Sequence, residues 1–190
     1  ELYAGDEMKR VANRLVEAWT SDIGFVLDRL GRLQPGDDAG KFAGRIDLAR
    51  VGVFGHSLGG ATAAEFCSRD SRCRAGIDID GALVGDVVER GIDKPFMFLM
   101  SGEGDFSTAA EVRQIMADIQ SVYDRLPPDS RQMFSIPGGN HFMFSDDGAV
   151  LKSPLLRGAL RALGKLGIDG TRQLADTADR VDVFFDKYLR

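Results

Sequence analysis

An apolar run, Val51-Gly52-Val53-Phe54, leads straight into Gly55-His56-Ser57-Leu58-Gly59-Gly60, and a small-residue segment, Ala61-Thr62-Ala63-Ala64-Glu65-Phe66, leads out of it. This reads as a strand, a sharp turn and a helix. A Gly-x-Ser-x-Gly turn in that setting is a nucleophile elbow. The flanking glycines remove Cβ clashes that would forbid the turn, so the Ser57 hydroxyl can stand exposed above a sheet. The backbone N–H of Leu58, at the helix N-terminus, would face a developing oxyanion. Three fixed positions in five recur by chance in many chains, but the strand before, the helix after and the extra Gly60, which lets helix and sheet approach closely, favour the chemical reading.

Around this unit the chain alternates. Strands are expected at residues 51–55, 75–80, 95–100 and 132–136, each pair separated by a helix-length segment, which argues for a parallel sheet with helices on its faces. Before it, Met8, Val11, Leu15, Val16 and Trp19, then Ile23, Val26, Leu27 and Leu30, recur at helical spacing, interrupted by Thr20-Ser21-Asp22 and Gly24; two helices or one bent helix would fit. Residues 34–44, with Pro35 and three glycines, read as a surface loop. Thr108-Ala109-Ala110-Glu111 is a capping box for a helix running to about Leu126, stopped by Pro127-Pro128. Two further helices are expected near 155–166 and 171–189. The whole of 1–190 reads as one α/β domain, with 1–45 a helical and loop lead-in.

At 190 residues and 44% hydrophobic, the chain can bury one good-sized core. A net charge of −5 with interspersed signs gives no basic footprint for nucleic acid or an anionic membrane. No apolar run is long enough to span a bilayer. The chain opens on Glu1, and its first residues do not resemble a signal peptide, which leaves open a cytoplasmic protein or a secreted or periplasmic one whose leader has been removed. Cys67 and Cys73 stand six apart, compatible with a local disulfide or with two reduced thiols.

A serine nucleophile needs a base and a carboxylate to orient that base. Only His56 and His141 are available, and His56 lies inside the elbow, so His141 is the candidate base. It follows the last strand through Pro137-Gly138-Gly139-Asn140, at the carboxyl end of the sheet where ligand chemistry collects. The order Ser, acid, His is that of α/β hydrolases. Asp80 and Asp105, each just past a strand, both suit the acid, with Asp78 a weaker third. Two histidines, one of them in the elbow, make no zinc motif, and the chemistry calls for no cofactor.

The stretches Gly55–Thr62, Arg74–Gly81, Lys94–Leu99 and Gly139–Phe142 together resemble the platelet-activating-factor acetylhydrolase family of the plasma type and its bacterial relatives, over residue 46 to the end. The resemblance implies an α/β-hydrolase fold, with nucleophile on Ser57, base on His141 and acid on Asp80 rather than Asp105. It implies hydrolysis of short-acyl esters, including phospholipid esters, with cutinase-like polyesters or general carboxylic esters as alternatives. It also implies strands upstream of the elbow and a second oxyanion donor from an upstream loop. Only about fifty residues precede the elbow, so this chain is expected to hold the C-terminal portion of the sheet, completed by an upstream segment or a second chain; an inactive fragment or interaction module is the non-enzymatic alternative. Phe142-Met143-Phe144 could line an acyl pocket or sit in the core. Asp78-Ile79-Asp80-Gly81 and Ser101 also imitate haloacid-dehalogenase-type phosphatase motifs, but no lysine lies between Ser101 and Asp147, and Ala82 replaces the usual threonine.

Overall fold

Burial along the strands reveals their order in the sheet. In the computed structural model, which describes residues 6–102, 109–146, 153–163 and 170–190, four strands form one sheet: β1 (Val51–His56), β2 (Cys73–Ile79), β3 (Phe96–Ser101) and β4 (Arg131–Ile136). They lie in chain order and every neighbouring pair is parallel. The central strands β2 and β3 are almost wholly buried, whereas β1 and β4 are half-buried or exposed along most of their length. Parallel strands need crossovers, so both faces of the centre are covered and its residues are apolar on both sides.

Strand periodicity sorts the core into two layers. Phe96 and Phe98 face one side, packed with Ala64 and Phe66 of α2 (Leu58–Arg69), Leu27 of α1 (Asp6–Gly31) and Ile119 and Val122 of α4 (Ala109–Arg125). Met97 and Leu99 face the other, with Ala75, Ile77 and Ile79, under Phe184 of α6 (Gly170–Leu189). A shorter helix, α5 (Pro154–Ala162), precedes α6. Thr108, read as the cap of α4, and Leu166, read as the end of α5, lie outside the described residues.

Two expectations need correction or narrowing. The connection between β2 and β3 holds only a single helical turn, α3 (Val87–Arg90). Gly85 and Gly91 bracket it at φ 93° and 73°, left-handed conformations that end a helix at once. Its first N–H is met instead by the buried carboxylate of Glu65, which accepts from Val87 at 2.9 Å and pairs with Arg69 at 2.5 Å. The helical part of the lead-in, among the described residues, is one helix: α1 runs through Thr20-Ser21-Asp22, the Ser21 hydroxyl turned back onto the Glu17 carbonyl at 3.0 Å, because Ile23, Leu27 and Leu30 dock on the core.

Cys67 and Cys73 form a disulfide, their Cα atoms 5.1 Å apart, stapling α2 to the start of β2. Both are buried. Closing so short a loop is worth about 2 kcal/mol through the unfolded chain. The double variant Cys67→Ala/Cys73→Ala is therefore expected to lose at least about that much, read as a lower urea midpoint.

Candidate active site

Ser57 follows the last residue of β1 and caps α2 at φ 59° and ψ −124°, a conformation that is strained for any residue bearing a Cβ. Its N–H donates to Ile79 O at 2.8 Å, while its own carbonyl accepts from Gly60 and Ala61, the first bonds of the helix. The turn is possible because β1 and α2 nearly touch. A Cβ on Gly55 would lie 2.3 Å from Gly59 O, and one on Gly60 would lie 1.9 Å from Asp78 Oδ1. A Cβ on Gly59 would meet nothing within 4 Å, so close packing depends on Gly55 and Gly60 rather than on the last glycine of the pentapeptide. Leu58 opens α2, and its N–H points along the helix start beside Ser57.

Asp80 sits one residue past β2 with φ 53°, which turns its side chain out of the strand alternation. It is 4% exposed, and every oxygen is used. Oδ1 accepts the N–H and the hydroxyl of Ser101, at 2.7 and 2.9 Å; Oδ2 lies 2.8 Å from His141 Nδ1. Burial would push this carboxyl up, but the His141 ring and the two Ser101 donors outweigh it and hold it below the ordinary value. Asp80 is thus a buried carboxylate, which can only accept, so the hydrogen bond is donated by the His141 Nδ1–H.

His141 opens a short 3-10 turn, His141–Phe144, whose cap is Asn140: the Asn140 side chain accepts the Phe142 N–H at 3.0 Å. The imidazole meets the elbow through His56, whose ring lies 4.5 Å from it at 42° and 5.6 Å from Phe144. Burial and the neighbouring His141 lower the pKa of His56, whose Nε2 is buried without a hydrogen-bond partner among the described residues. His56 is therefore a neutral spacer wedged between elbow and base loop. Met143 and Phe144 pack into the core, whereas Phe142 is 53% exposed beside the imidazole.

The remaining acids separate clearly. Asp78 is fully buried beneath the first turn of α2, its Oδ1 accepting the Gly81 N–H at 2.9 Å and its Oδ2 unpartnered among the described residues. Sealed in this way, it cannot meet a phosphoryl group as the first aspartate of a phosphatase motif must. Burial pushes its carboxyl up to about 8, against the Gly81 N–H and with the charge of Asp80 adding to the rise. Asp105 lies outside the described residues. Two participants escaped the sequence reading, Ser101 as a double donor and His56 as a ring contact; a hydroxyl ending the strand next to that of Asp80 was the available signal for the first. Among the described residues no cluster of three or more His, Cys, Asp or Glu is placed to hold a metal ion, and no helix is long and apolar enough to cross a membrane.

The family model described as platelet-activating factor acetylhydrolase, isoform II, matches residues 24–179. A probable 1-alkyl-2-acetylglycerophosphocholine esterase of Arthroderma benhamiae is 32% identical over 125 residues, 64% of this chain and 31% of that protein. The platelet-activating factor acetylhydrolase of Cavia porcellus is 29% identical over 154 residues, 80% of this chain and 33% of that protein. The chain spans about a third of the length of the curated relatives it matches. Among solved structures, a ferulic acid esterase from Streptomyces cinnamoneus superposes with TM-score 0.74 at 28% identity, over 94% of this chain and 50% of that one. A putative dienelactone hydrolase from Klebsiella pneumoniae, TM-score 0.52 at 15% identity over 78% of this chain and 57% of that one, shares the fold. The fold is that of the α/β hydrolases.

The buried acid beneath the elbow has a measurable consequence. Between about pH 4, the ordinary carboxyl value, and about 8, the native protein keeps a proton on Asp78 that the unfolded chain has released. Stability contributed at this position therefore falls as pH rises across that window. Asp78→Asn cannot ionise, so its urea-unfolding stability relative to the native sequence should improve steadily from about pH 5 to about pH 8.

Proposed function

Because this chain belongs to the platelet-activating factor acetylhydrolase, isoform II, family, we propose that it hydrolyses carboxylic esters through an acyl-enzyme on Ser57. The observation that carries this reading is the 2.8 Å contact between His141 Nδ1 and a buried, fully hydrogen-bonded Asp80, at the sheet edge where the strained Ser57 turn also lies. In this reading His141 Nε2 takes the Ser57 proton as the hydroxyl oxygen attacks the ester carbonyl. The oxyanion is met by the Leu58 N–H. Asp80 holds the imidazole in the tautomer that presents a bare Nε2 and stabilises the imidazolium that forms. Collapse of the tetrahedral intermediate expels the alcohol, which takes the proton from His141. Water, deprotonated by the same imidazole, then releases the carboxylic acid and restores the serine.

The substrate class is drawn from the relatives and one surface feature. The fungal relative is named for a 1-alkyl-2-acetylglycerophosphocholine, the mammalian one for platelet-activating factor and its acetyl group, and the structural one for ferulic acid. The acyl groups these names carry are an acetyl and a ferulic acid, the one small and the other flat. Exposed Phe142 beside the imidazole offers an apolar wall for such a group. We assign a short-acyl ester, with an sn-2 acetyl phospholipid as its lipid form.

Turnover of p-nitrophenyl esters of increasing acyl length, and of a 1-alkyl-2-acetylglycerophosphocholine, tests this. Activity should be highest on acetyl and fall with chain length. Ser57→Ala and His141→Gln should each lower kcat by ~10⁴-fold or more, and Asp80→Asn by ~10³–10⁴-fold. Asp105→Asn should stay near the native rate; loss of turnover there with Asp80→Asn active would move the acid to Asp105.

A further inference from the structure

The imidazole of His141 stands on a loop that leaves β4 through Pro137, Gly138 at φ 69° and Gly139, and the two glycines impose little order on the residues beyond them. Order arrives from α6, which shares a core layer with Phe144 of the same loop. Gln173, near the start of α6, is fully buried, and both ends of its amide engage the residue before His141. Its Oε1 accepts the Asn140 N–H at 3.1 Å, and its Nε2 donates to the Asn140 carbonyl at 3.0 Å. A side-chain amide here does for one loop residue what a paired strand does for its neighbour. Asn140 is itself buried and passes the constraint forward by capping Phe142, so the residues on both sides of His141 are fixed. Behind Gln173, α6 is pinned to the sheet by Phe184, and the Thr177 hydroxyl donates to the Gln173 carbonyl at 2.7 Å.

We propose that Gln173 is a positioning residue for His141: its paired hydrogen bonds to Asn140 set where the imidazole stands relative to Asp80 and the elbow. This rests on the reading of His141 as the base. Burying an amide is costly unless both its ends are satisfied, and a leucine of similar volume would fill the space without that demand. What glutamine adds over leucine is a fixed loop conformation.

Gln173→Leu removes both hydrogen bonds; Gln173→Glu keeps the shape and the acceptor but loses the donor whenever the carboxyl is ionised. Four readouts apply to each: the downfield proton resonance of His141 Nδ1–H, assigned by its absence in His141→Gln; kcat and KM on p-nitrophenyl acetate; the rate at which diethyl p-nitrophenyl phosphate labels Ser57; and the melting temperature. The expected result is a broadened or lost resonance, with kcat and labelling rate lowered on the order of 10–100-fold at nearly constant KM. For Gln173→Glu, activity relative to the native sequence should rise as pH is lowered and the carboxyl regains a proton. A lowered melting temperature alone, with resonance, kcat and labelling unchanged in the folded protein, would overturn the proposal. Absence of Ser57 labelling in the native sequence would count against the acyl-enzyme reading instead, and the resonance would still decide the role of Gln173. Should Gln173→Leu fail to fold, Gln173→Glu carries the test.

Discussion

The buried negative charge of Asp80 is the constraint around which the described structure is arranged. A carboxylate with 4% exposure is tolerable only if its oxygens are met by good donors. Those donors come from two places distant in the chain: Ser101 at the end of β3, and His141 beyond β4, 61 residues away. Satisfying one charge thus fastens three successive sheet-edge segments together. Removing either partner would leave one buried carboxylate oxygen unmet, which costs more than the hydrogen bond itself.

A second constraint is the closeness of β1 and α2. Gly55 and Gly60 let the helix start press on the sheet, and Asp78 fills the space beneath. The elbow strain at Ser57 is held by that packing together with the bond from Ser57 N–H to Ile79 O. The two aspartates of one strand end therefore live in opposite states. Asp80 is kept charged by donors, whereas Asp78, two residues earlier and with a single N–H partner, is kept neutral by burial. Backbone geometry separates them, since Asp80 adopts φ 53° and leaves the alternation that Asp78 obeys.

Much of this architecture was legible. Apolar runs bounded by glycine, proline and charge located all four strands to within two residues, most plainly the central pair, where burial on both faces leaves a nearly continuous apolar signature. The one-turn α3 was not legible as such: the length between β2 and β3 suits a full helix, and the two left-handed glycines that forbid it announce themselves only as glycine. Within the site, residue types and chain order pointed to Ser57, Leu58 and His141, while spacing could not choose between Asp80 and Asp105 and only the family resemblance favoured Asp80. Ser101 left only the weak mark of a hydroxyl at a strand end, and His56 and Gln173 left none. Each matters through a contact made across the fold, and a glutamine in an amphipathic helix carries no local mark of its distant partner.

The two-layered core also divides the molecule by how it can come apart. The elbow, Asp80 and Ser101 stand at the ends of β1, β2 and β3, while the loop bearing His141 is tied to α6 on the Phe184 face of the sheet. Transient lifting of that single helix, a sub-global opening, would withdraw the Gln173 bonds from the base loop while leaving hydroxyl and carboxylate in place. Hydrogen-exchange protection at the base loop is accordingly bounded by the docking strength of α6, not by the stability of the molecule as a whole.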